Sequence, residues 1–285
     1  MSEYISINVL TYNMSFATQV NKSIGSEKDF VERCQKKYKK GGIQCNTNAI
    51  KKLNELDEIS LMGIQEVNSA IEPKIKKVQP SLKKHKRVKI GLSTVSILWD
   101  PSIFGNKIDD YSFNLTSKKN DYRPCLIILT KKKNNQFLLI NIHSPWKTET
   151  LEKVISKNLN KCKSDKIIDA FKSKDTNIIV MGDFNDDKAI INKQKPLHIS
   201  VKRKKIPLTI KKTRKQLKNE LLSCCWHEIG HKWDHFDSPG DYILTNSNVK
   251  QDDIYIPKEF NLKQRNKLLY SDHKPVMAEL TIKYT

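Results

Sequence analysis

The sequence predicts an α/β chain, and three observations carry that reading. Apolar runs of strand length recur, as in Ile178-Ile179-Val180-Met181, of the kind a strand buried on both faces shows. Amphipathic stretches at helical spacing stand between them, over 48–56 and 150–171. No internal repeat and no low-complexity linker divides the 285 residues, so a single domain over 1–285 is expected.

Taken in order, Ile5 to Met14 alternates and then ends Leu-Thr-Tyr-Asn-Met, a strand delivering Asn13 at its end. The segment 19–47 is less regular. A short helix is expected around Phe30, Val31 and Cys34, then a basic turn through Lys36 to Lys40 and Gly41-Gly42. Asn48 to Leu56 sets Ile50, Leu53 and Leu56 at helical spacing. Ile59 to Val67 is the next strand. Glu66 near its end would be costly if buried unpaired, and a metal or cationic partner would relieve that cost. Lys74 to Lys89 reads as a helix or loop rich in lysine, and Thr94 to Trp99 as a strand closing at Asp100-Pro101.

Asp109 to Asn120 is polar and turn-like, with a short edge strand over Tyr111 to Leu115. Arg123 to Thr130 and Phe137 to His143 form a hairpin through a turn at Lys131 to Asn135. Thr150 to Phe171 is an amphipathic helix broken near Cys162. The strand 178–181 then opens into Gly182-Asp183-Phe184-Asn185. In extended backbone, Asp183 and Asn185 point to one side. A carboxylate suits a hard divalent cation, and an amide donates to a phosphate oxygen. Gly182 would let a ligand approach the backbone. Further on, Asp241 enters a strand over 241–245, and Asp272-His273 precede a final one.

Charge bounds the partners. Lys and Arg number 52 against 31 Asp and Glu, a formal +21, which favours a polyanionic partner such as nucleic acid or an anionic membrane surface. Only six of the cations are Arg, and a Lys-, Asn- and Ile-rich composition is also what an AT-rich genome produces. The most basic segment is 188–218. There, Lys202, Arg203, Lys204 and Lys205 rim a short hairpin around Ile206 to Ile210, suited to track a phosphate backbone.

The N-terminus carries no basic and apolar signal segment, and no apolar run approaches the ~18 residues of a membrane span. A cytoplasmic, nuclear or virion-factory setting without stable membrane association is expected, and a monomer. The six cysteines lack the density of a disulfide scaffold and are read as reduced thiols.

A competing motif is His227-Glu228-Ile229-Gly230-His231, which matches the zinc-protease His-Glu-x-x-His. On a helix the two histidines would bind zinc, with Glu228 as general base. Cys224, Cys225 and His235 add ligands for a structural zinc. Against catalysis, the stretch runs into a turn at Asp234 to Gly240 and supplies no clear third ligand.

Six segments thus present polar tips: Asn13, Glu66, His143, Asp183 with Asn185, Asp241, and Asp272-His273. In this order the chain resembles the endonuclease/exonuclease/phosphatase superfamily. The matching motifs are Thr11-Tyr12-Asn13-Met14, Gly63-Ile64-Gln65-Glu66-Val67, Asn141-Ile142-His143-Ser144, Gly182-Asp183-Phe184-Asn185, Gly240-Asp241-Tyr242-Ile243-Leu244 and Ser271-Asp272-His273-Lys274-Pro275-Val276. The resemblance implies a four-layer α/β sandwich, two packed mixed β-sheets flanked by helices, with basic insertions near 19–47 and 188–218. It implies Glu66 as the main ligand of Mg²⁺ (or Mn²⁺), with Asn13 and Asp272 completing or supporting the shell. His273, oriented by Asp241, would contact the scissile phosphate. Asp183 and Asn185 would position the attacking water and the phosphate, and Arg123 would bind phosphate. His143 matches the second histidine of the deoxyribonuclease, sphingomyelinase and deadenylase branches. Where deoxyribonucleases place Tyr-x-Glu to support it, this chain has Gly91-Leu92-Ser93, so His143 is expected to lack that partner.

The expected function is a Mg²⁺-dependent phosphodiesterase, a nuclease acting on DNA or RNA. The alternatives are a phosphatase or phospholipase acting on phosphoinositide or sphingomyelin, the zinc peptidase, and a catalytically idle nucleic-acid-binding protein.

Overall fold

The computed structural model describes residues 3–22, 28–116, 118–119, 121–145, 151–185, 197–212, 216–217, 220–223, 240–260 and 270–284. Two mixed sheets form its centre. The first orders β12-β13-β1-β2-β4-β3, from β1 (Glu3–Asn13), β2 (Leu61–Gln65), β3 (Lys84–Ile90), β4 (Ser93–Trp99), β12 (Val249–Tyr255) and β13 (Val276–Tyr284). The second orders β11-β8-β7-β6-β5, from β5 (Asn106–Asn114), β6 (Pro124–Lys132), β7 (Asn135–His143), β8 (Asn177–Asp183) and β11 (Asp241–Thr245). The pairs β1–β2 and β7–β8 are parallel and the other pairs antiparallel.

The sheets pack face to face. Ile7, Val9 and Ile97 of the first and Leu126, Leu139 and Met181 of the second line the facing sides in one buried cluster. Gly63 permits the close approach: a Cβ there would stand 2.7 Å from Met181 Cγ and 3.1 Å from Asn141 Cγ. On the outer face of the first sheet, Leu10, Met62 and Ile64 pack under α3 (Gly42–Leu53) and α4 (Ile71–Val78). On the second, α6 (Leu151–Asn160) and α7 (Asp165–Lys172) cover the sheet through Ile155, Ile167 and Phe171. The four layers expected from the motifs are therefore present. The helix expected over 150–171 is interrupted at Cys162 as anticipated, where Ser164 caps α7 by accepting the Ile167 N–H at 3.2 Å.

Helices α1 (Phe16–Val20), α2 (Lys28–Lys37) and α3 fill the interval between Asn13 and Glu66. Cys34 and Cys45 join α2 to α3 in a disulfide, so the reading of all six cysteines as reduced thiols is corrected. The pairing closes a small satellite cluster with Phe30 and Tyr38. Cys125 and Cys162 are free and buried. Among the described residues no helix is long and apolar enough to cross a membrane.

The basic hairpin also departs from expectation. Its strands are β9 (Leu197–Val201) and β10 (Lys204–Leu208), so Lys202-Arg203 form the turn rather than a rim. β9 lies along α6. The N–H groups of His198, Ser200 and Lys202 donate to Glu152 Oε1, Ser156 Oγ and Asn160 Oδ1, each at 2.9 Å. Four helical residues rise about 6 Å and two strand residues about 6.6 Å, so the two ladders stay in step.

Candidate active site

The strand register assembles the site. His143 on β7 stands abreast of Asp183 on β8, and Asp183 abreast of Asp241 on β11. Across the sandwich, Asn13 closes β1 opposite Gln65, and Glu66 follows at once. The Asp272-His273 pair precedes β13, whose Val276 pairs with Thr11 of β1. Asp241 and His273 begin antiparallel strands rather than end them, but in an antiparallel pair a start lies beside a neighbour's end.

The polar tips do converge. Asn13 Nδ2 donates to Glu66 Oε1 at 3.2 Å and to Asp183 Oδ2 at 3.0 Å. Its own Oδ1 accepts the Ser15 N–H at 3.1 Å. Asn13 thus presents its amide N–H groups to the carboxylates, the supporting one of the two roles the resemblance implies. Glu66 has φ +55°, a conformation a non-glycine residue holds only when its surroundings fix it. Its N–H donates to Thr94 O at 2.9 Å. Gln19 Nε2 donates to its carbonyl at 2.6 Å while Gln19 Oε1 accepts the Asn68 N–H at 2.8 Å. Glu66 Oε2 accepts the Phe16 N–H at 3.2 Å. Helix α1 therefore clamps Glu66 by both backbone and side chain.

His273 Nδ1 lies 2.8 Å from Asp241 Oδ2, and His273 Nε2 lies 3.9 Å from Asp183 Oδ2. All three residues are buried. Burial alone would lower the His273 pKa, but Asp241, then Asp183 and Asp272, raise it well above the usual imidazole value. Nδ1–H donates to Asp241, and the protonated Nε2–H faces Asp183. Burial pushes the Asp183 carboxyl up to about 7, with Asp241 and Glu66 adding to the effect and His273 opposing it. Asp272 is raised by burial too, and Ser271 Oγ holds its Oδ1 at 3.2 Å. Ser223 Oγ accepts the Gly240 and Asp241 N–H groups at 3.0 Å each, fixing the start of β11.

His143 is not left without a partner. Ser93 Oγ stands 3.1 Å from its Nδ1 and Arg123 Nη1 2.6 Å from its Nε2. The absent Glu is thus replaced by the hydroxyl of Ser93. Burial pushes the imidazole down to about 3, with Arg123 and His273 adding and Glu66 opposing. Asn185 donates through Nδ2 to Ser144 O at 3.0 Å, and its N–H to Asp183 Oδ1 at 2.9 Å. Gly182, at φ +148°, is required by β7: a Cβ would stand 2.1 Å from Ile142 O. Its role is strand packing, not room for a ligand.

The structure does not bring Lys202, Arg203, Lys204 and Lys205 to this cluster. Lys204 Nζ donates to Lys172 O, at the end of α7 that leads into the start of β8. β8 then runs about 20 Å to Asp183, so these four stand apart from the cluster. The His227-Glu228-Ile229-Gly230-His231 motif, Cys224, Cys225 and His235 lie outside the described residues. Sequence reasoning missed Gln19, whose segment shows no signal, and Ser93, which the Gly91-Leu92-Ser93 substitution could have flagged.

No family model matches the sequence, and no curated protein matches it. Solved structures do match. An endonuclease/exonuclease/phosphatase from Bacteroides vulgatus aligns at TM-score 0.62 and 14% identity, covering 97% of this chain and 98% of that one. The chain has the endonuclease/exonuclease/phosphatase fold. ANGEL2, a 2′,3′-cyclic phosphatase in complex with adenosine-2′,3′-vanadate, aligns at TM-score 0.62 and 14% identity over 99% and 98% of the two chains. D. rerio TDP2 complexed with a single-strand DNA product aligns at 0.56 and 13% over 96% and 98%. In this fold the strand ends between the two sheets are where Glu66, Asp183, Asp241, Asp272 and His273 gather.

The donor set fits a hard divalent cation. Four carboxylates, from Glu66, Asp183, Asp241 and Asp272, share the site, and Asp183, Asp241 and His273 offer atoms within 4.8 Å of one another. Among the described residues Asp241 Oδ1 is buried without a hydrogen-bond partner. Carboxylate oxygens in this number suit Mg²⁺ or Mn²⁺ rather than a soft metal.

Proposed function

We propose that this chain is a divalent-cation-dependent phosphodiesterase that hydrolyses nucleic acid. One observation carries the reading: a His273–Asp241 pair at 2.8 Å beside the buried carboxylate Asp183, with Glu66 and Asp272 in the same cluster. A phosphodiester is itself an anion, and a cation fixed among these acids would let it approach them and offset the charge of its transition state. The +21 charge supports a nucleic-acid substrate over a lipid. Two fold neighbours, in complex with a DNA product and with an adenosine vanadate, point the same way.

In this reading Glu66 and Asp272 hold the cation, supported by Asn13 through Glu66. The cation, when bound, neutralises charge on the phosphate and on the leaving oxygen. His273, kept protonated by Asp241, donates from Nε2 to a phosphate oxygen. Asp183 accepts the proton of the attacking water, and a carboxyl pushed up to about 7 is well matched to that role near neutral pH. Asn185 holds Asp183 through its backbone N–H, and its side chain, anchored on Ser144 O, is assigned in this reading to the phosphate. Arg123, with His143 accepting from it, directs its guanidinium toward the phosphate.

The deciding experiment incubates the purified chain with Mg²⁺ and DNA, RNA, abasic DNA, phosphoinositide and sphingomyelin. Cleavage of nucleic acid that Glu66→Ala and His273→Ala each abolish, with the fold retained, is the expected result. Lipid hydrolysis with no nucleic-acid cleavage sinks the substrate assignment, and full activity in either variant sinks the site.

A further inference from the structure

The basic hairpin that the sequence suggested as a nucleic-acid track lies far from the cluster, but a second basic surface reaches it. Between Pro73 and Trp99 the chain carries eight Lys or Arg and no Asp or Glu. Over the whole chain acids number 31 in 285, so about three would fall in such a span at random. Lysine-rich base composition adds cations without removing acids, so it does not account for their absence.

The fold lays this span out as α4 and the edge strand β3. His85, Arg87 and Lys89 are exposed and alternate along β3 with half-buried neighbours, so they share its solvent face. Successive members stand about 6.6 Å apart, comparable with the step between phosphates of an extended strand. The row leads to the site. Lys89 pairs with Thr94, whose carbonyl accepts the Glu66 N–H, and Ile90 pairs with Ser93, whose hydroxyl meets His143. At the other side, Lys76 Nζ donates to His85 Nδ1 at 2.7 Å, tying α4 into the same surface. Burial comes first in holding both Lys76 and His85 below their ordinary pKa values; at His85 Lys76 and Arg87 add to it, whereas at Lys76 Glu72 opposes more strongly than Lys84 adds. The crowding of cations beside His85 is what an incoming polyanion relieves. Glu72, the one acid of α4, is buried beneath Arg87 at 3.8 Å, and on the other face of β3 Lys86 pairs with Asp110 at 3.0 Å. Lys77, Lys84 and Lys89 are exposed and have no acidic partner within ion-pair distance among the described residues.

We propose that the solvent face of β3 with α4 is the phosphate-backbone track that carries a nucleic-acid strand into the site, its Lys89 end entering beside Ser93 and Glu66. The inference rests on the nuclease reading of the site and names where its substrate lies. An edge strand offers a narrow straight row rather than a groove, which fits one strand of backbone.

The test compares the wild-type chain, the triple variant Lys77→Gln/Lys84→Gln/Lys89→Gln, and an equal charge loss on the distant hairpin, Lys202→Gln/Arg203→Gln/Lys205→Gln. Binding of single-stranded oligonucleotides of increasing length is measured against salt. Hydrolysis of bis(p-nitrophenyl) phosphate reports on the chemistry alone. In the β3–α4 variant, affinity for long oligonucleotides is expected to fall on the order of tenfold or more, with the salt slope smaller by about 2 to 3. Hydrolysis of the small ester and the melting temperature stay as in wild type, and the hairpin variant keeps the wild-type slope. Equal losses in the two variants, or affinity independent of oligonucleotide length, overturn the track while leaving the nuclease reading standing. A wild-type chain that hydrolyses the small ester yet neither binds nor cleaves nucleic acid overturns that reading and the track with it. Lys89→Glu alone provides the second variant: nucleic-acid binding at the wild-type level there also refutes the track.

Discussion

Arg123 Nη1 stands 2.6 Å from His143 Nε2. A guanidinium can only donate, so Nε2 accepts, the neutral ring carries its proton on Nδ1, and Nδ1–H donates to Ser93 Oγ. The consequence is that His143 cannot give a proton from Nε2 to the nearby Glu66 or Asp183, at 3.5 and 3.8 Å. Its part is to hold Arg123, whose Nε is held by Asp121 at 3.1 Å.

Removing that donor should free the imidazole. In Arg123→Ala the His143 pKa rises from about 3 toward the ordinary histidine range. The ¹⁵N shifts of the ring, followed with pH, measure this directly. Arg123→Lys keeps the charge but loses the planar fork, and a loss of activity on the order of 10- to 100-fold is expected from it. A His143 ring that stays neutral to pH 4 in Arg123→Ala would show that burial alone sets its state.

The His273–Asp241 pair gives a second prediction. Asp241→Asn keeps the shape but removes the main charge that raises His273. Burial then dominates, and the imidazole loses its proton at lower pH. Activity should fall by roughly 10²–10³ at neutral pH. The pH–rate profile is the discriminating measurement: its alkaline limb should move to lower pH in the variant. A uniform loss with an unmoved limb would assign Asp241 to packing.

Stability against pH provides a third. An acid with a raised folded pKa stabilises the fold at low pH and loses that contribution as pH climbs, for Asp183 between about 4 and about 7. His143 works the other way. Its folded pKa is depressed, so stability is lost as pH falls below about 6.5. Asp272, also raised by burial, adds to the Asp183 slope, so His143 offsets part of the fall from about 4 to 6.5. Above that window His273, raised well above its ordinary value, dominates, and stability falls as it deprotonates. The chelator-treated protein should therefore melt several degrees lower at pH 9 than at pH 6.5. Mg²⁺ should raise the melting temperature more at pH 8 than at pH 6, because it binds ionised carboxylates. Equal Mg²⁺ stabilisation at both values would place the cation away from Asp183 and Asp272.

What was legible in the sequence follows burial. Strands with two covered faces, such as β7 and β8, announce themselves as apolar runs, and their polar tips stand out because the run stops. β3 and β12 were not read as strands. They are the two edges of the six-stranded sheet, and edge strands carry charge that erases a period-two pattern. β12 reads Val-Lys-Gln-Asp-Asp-Ile-Tyr, with Val249, Gln251 and Ile254 buried across a register shift near Asp252. The gathering of Asn13, Glu66, Asp183, Asp241 and His273 was legible as motif order. The support was not: Gln19 and Ser93 act through hydrogen bonds made across 47 to 50 residues, Gln19 to Glu66 and Asn68 and Ser93 to His143. The distance of Lys202 to Lys205 from the cluster was not legible either, because charge shows in a sequence and the end of a helix it sits on does not.

The disulfide offers the last prediction. Cys34 and Cys45 are 11 residues apart, and closing so short a loop is worth roughly 3 kcal/mol in the chain-entropy account. That stabilisation belongs to α2, which packs on α3 through Phe30 and the two sulfurs. Glu66 is gripped from elsewhere. It is held by α1, which meets α3 where Gly42 lies against Thr18, so close that a Cβ would stand 2.7 Å from Thr18 O. Cys34→Ser/Cys45→Ser should therefore speed amide exchange in α2 by about a hundredfold, while β7, β8 and the Glu66 turn keep their protection. Mg²⁺ dependence of activity should stay within about twofold of wild type, as expected of a change that leaves the Gln19 and Phe16 contacts intact. Faster exchange at Glu66 and Asn68 in step with α2 would instead make α1, α2 and α3 one cooperative unit, with the disulfide part of what holds the candidate metal ligand in place.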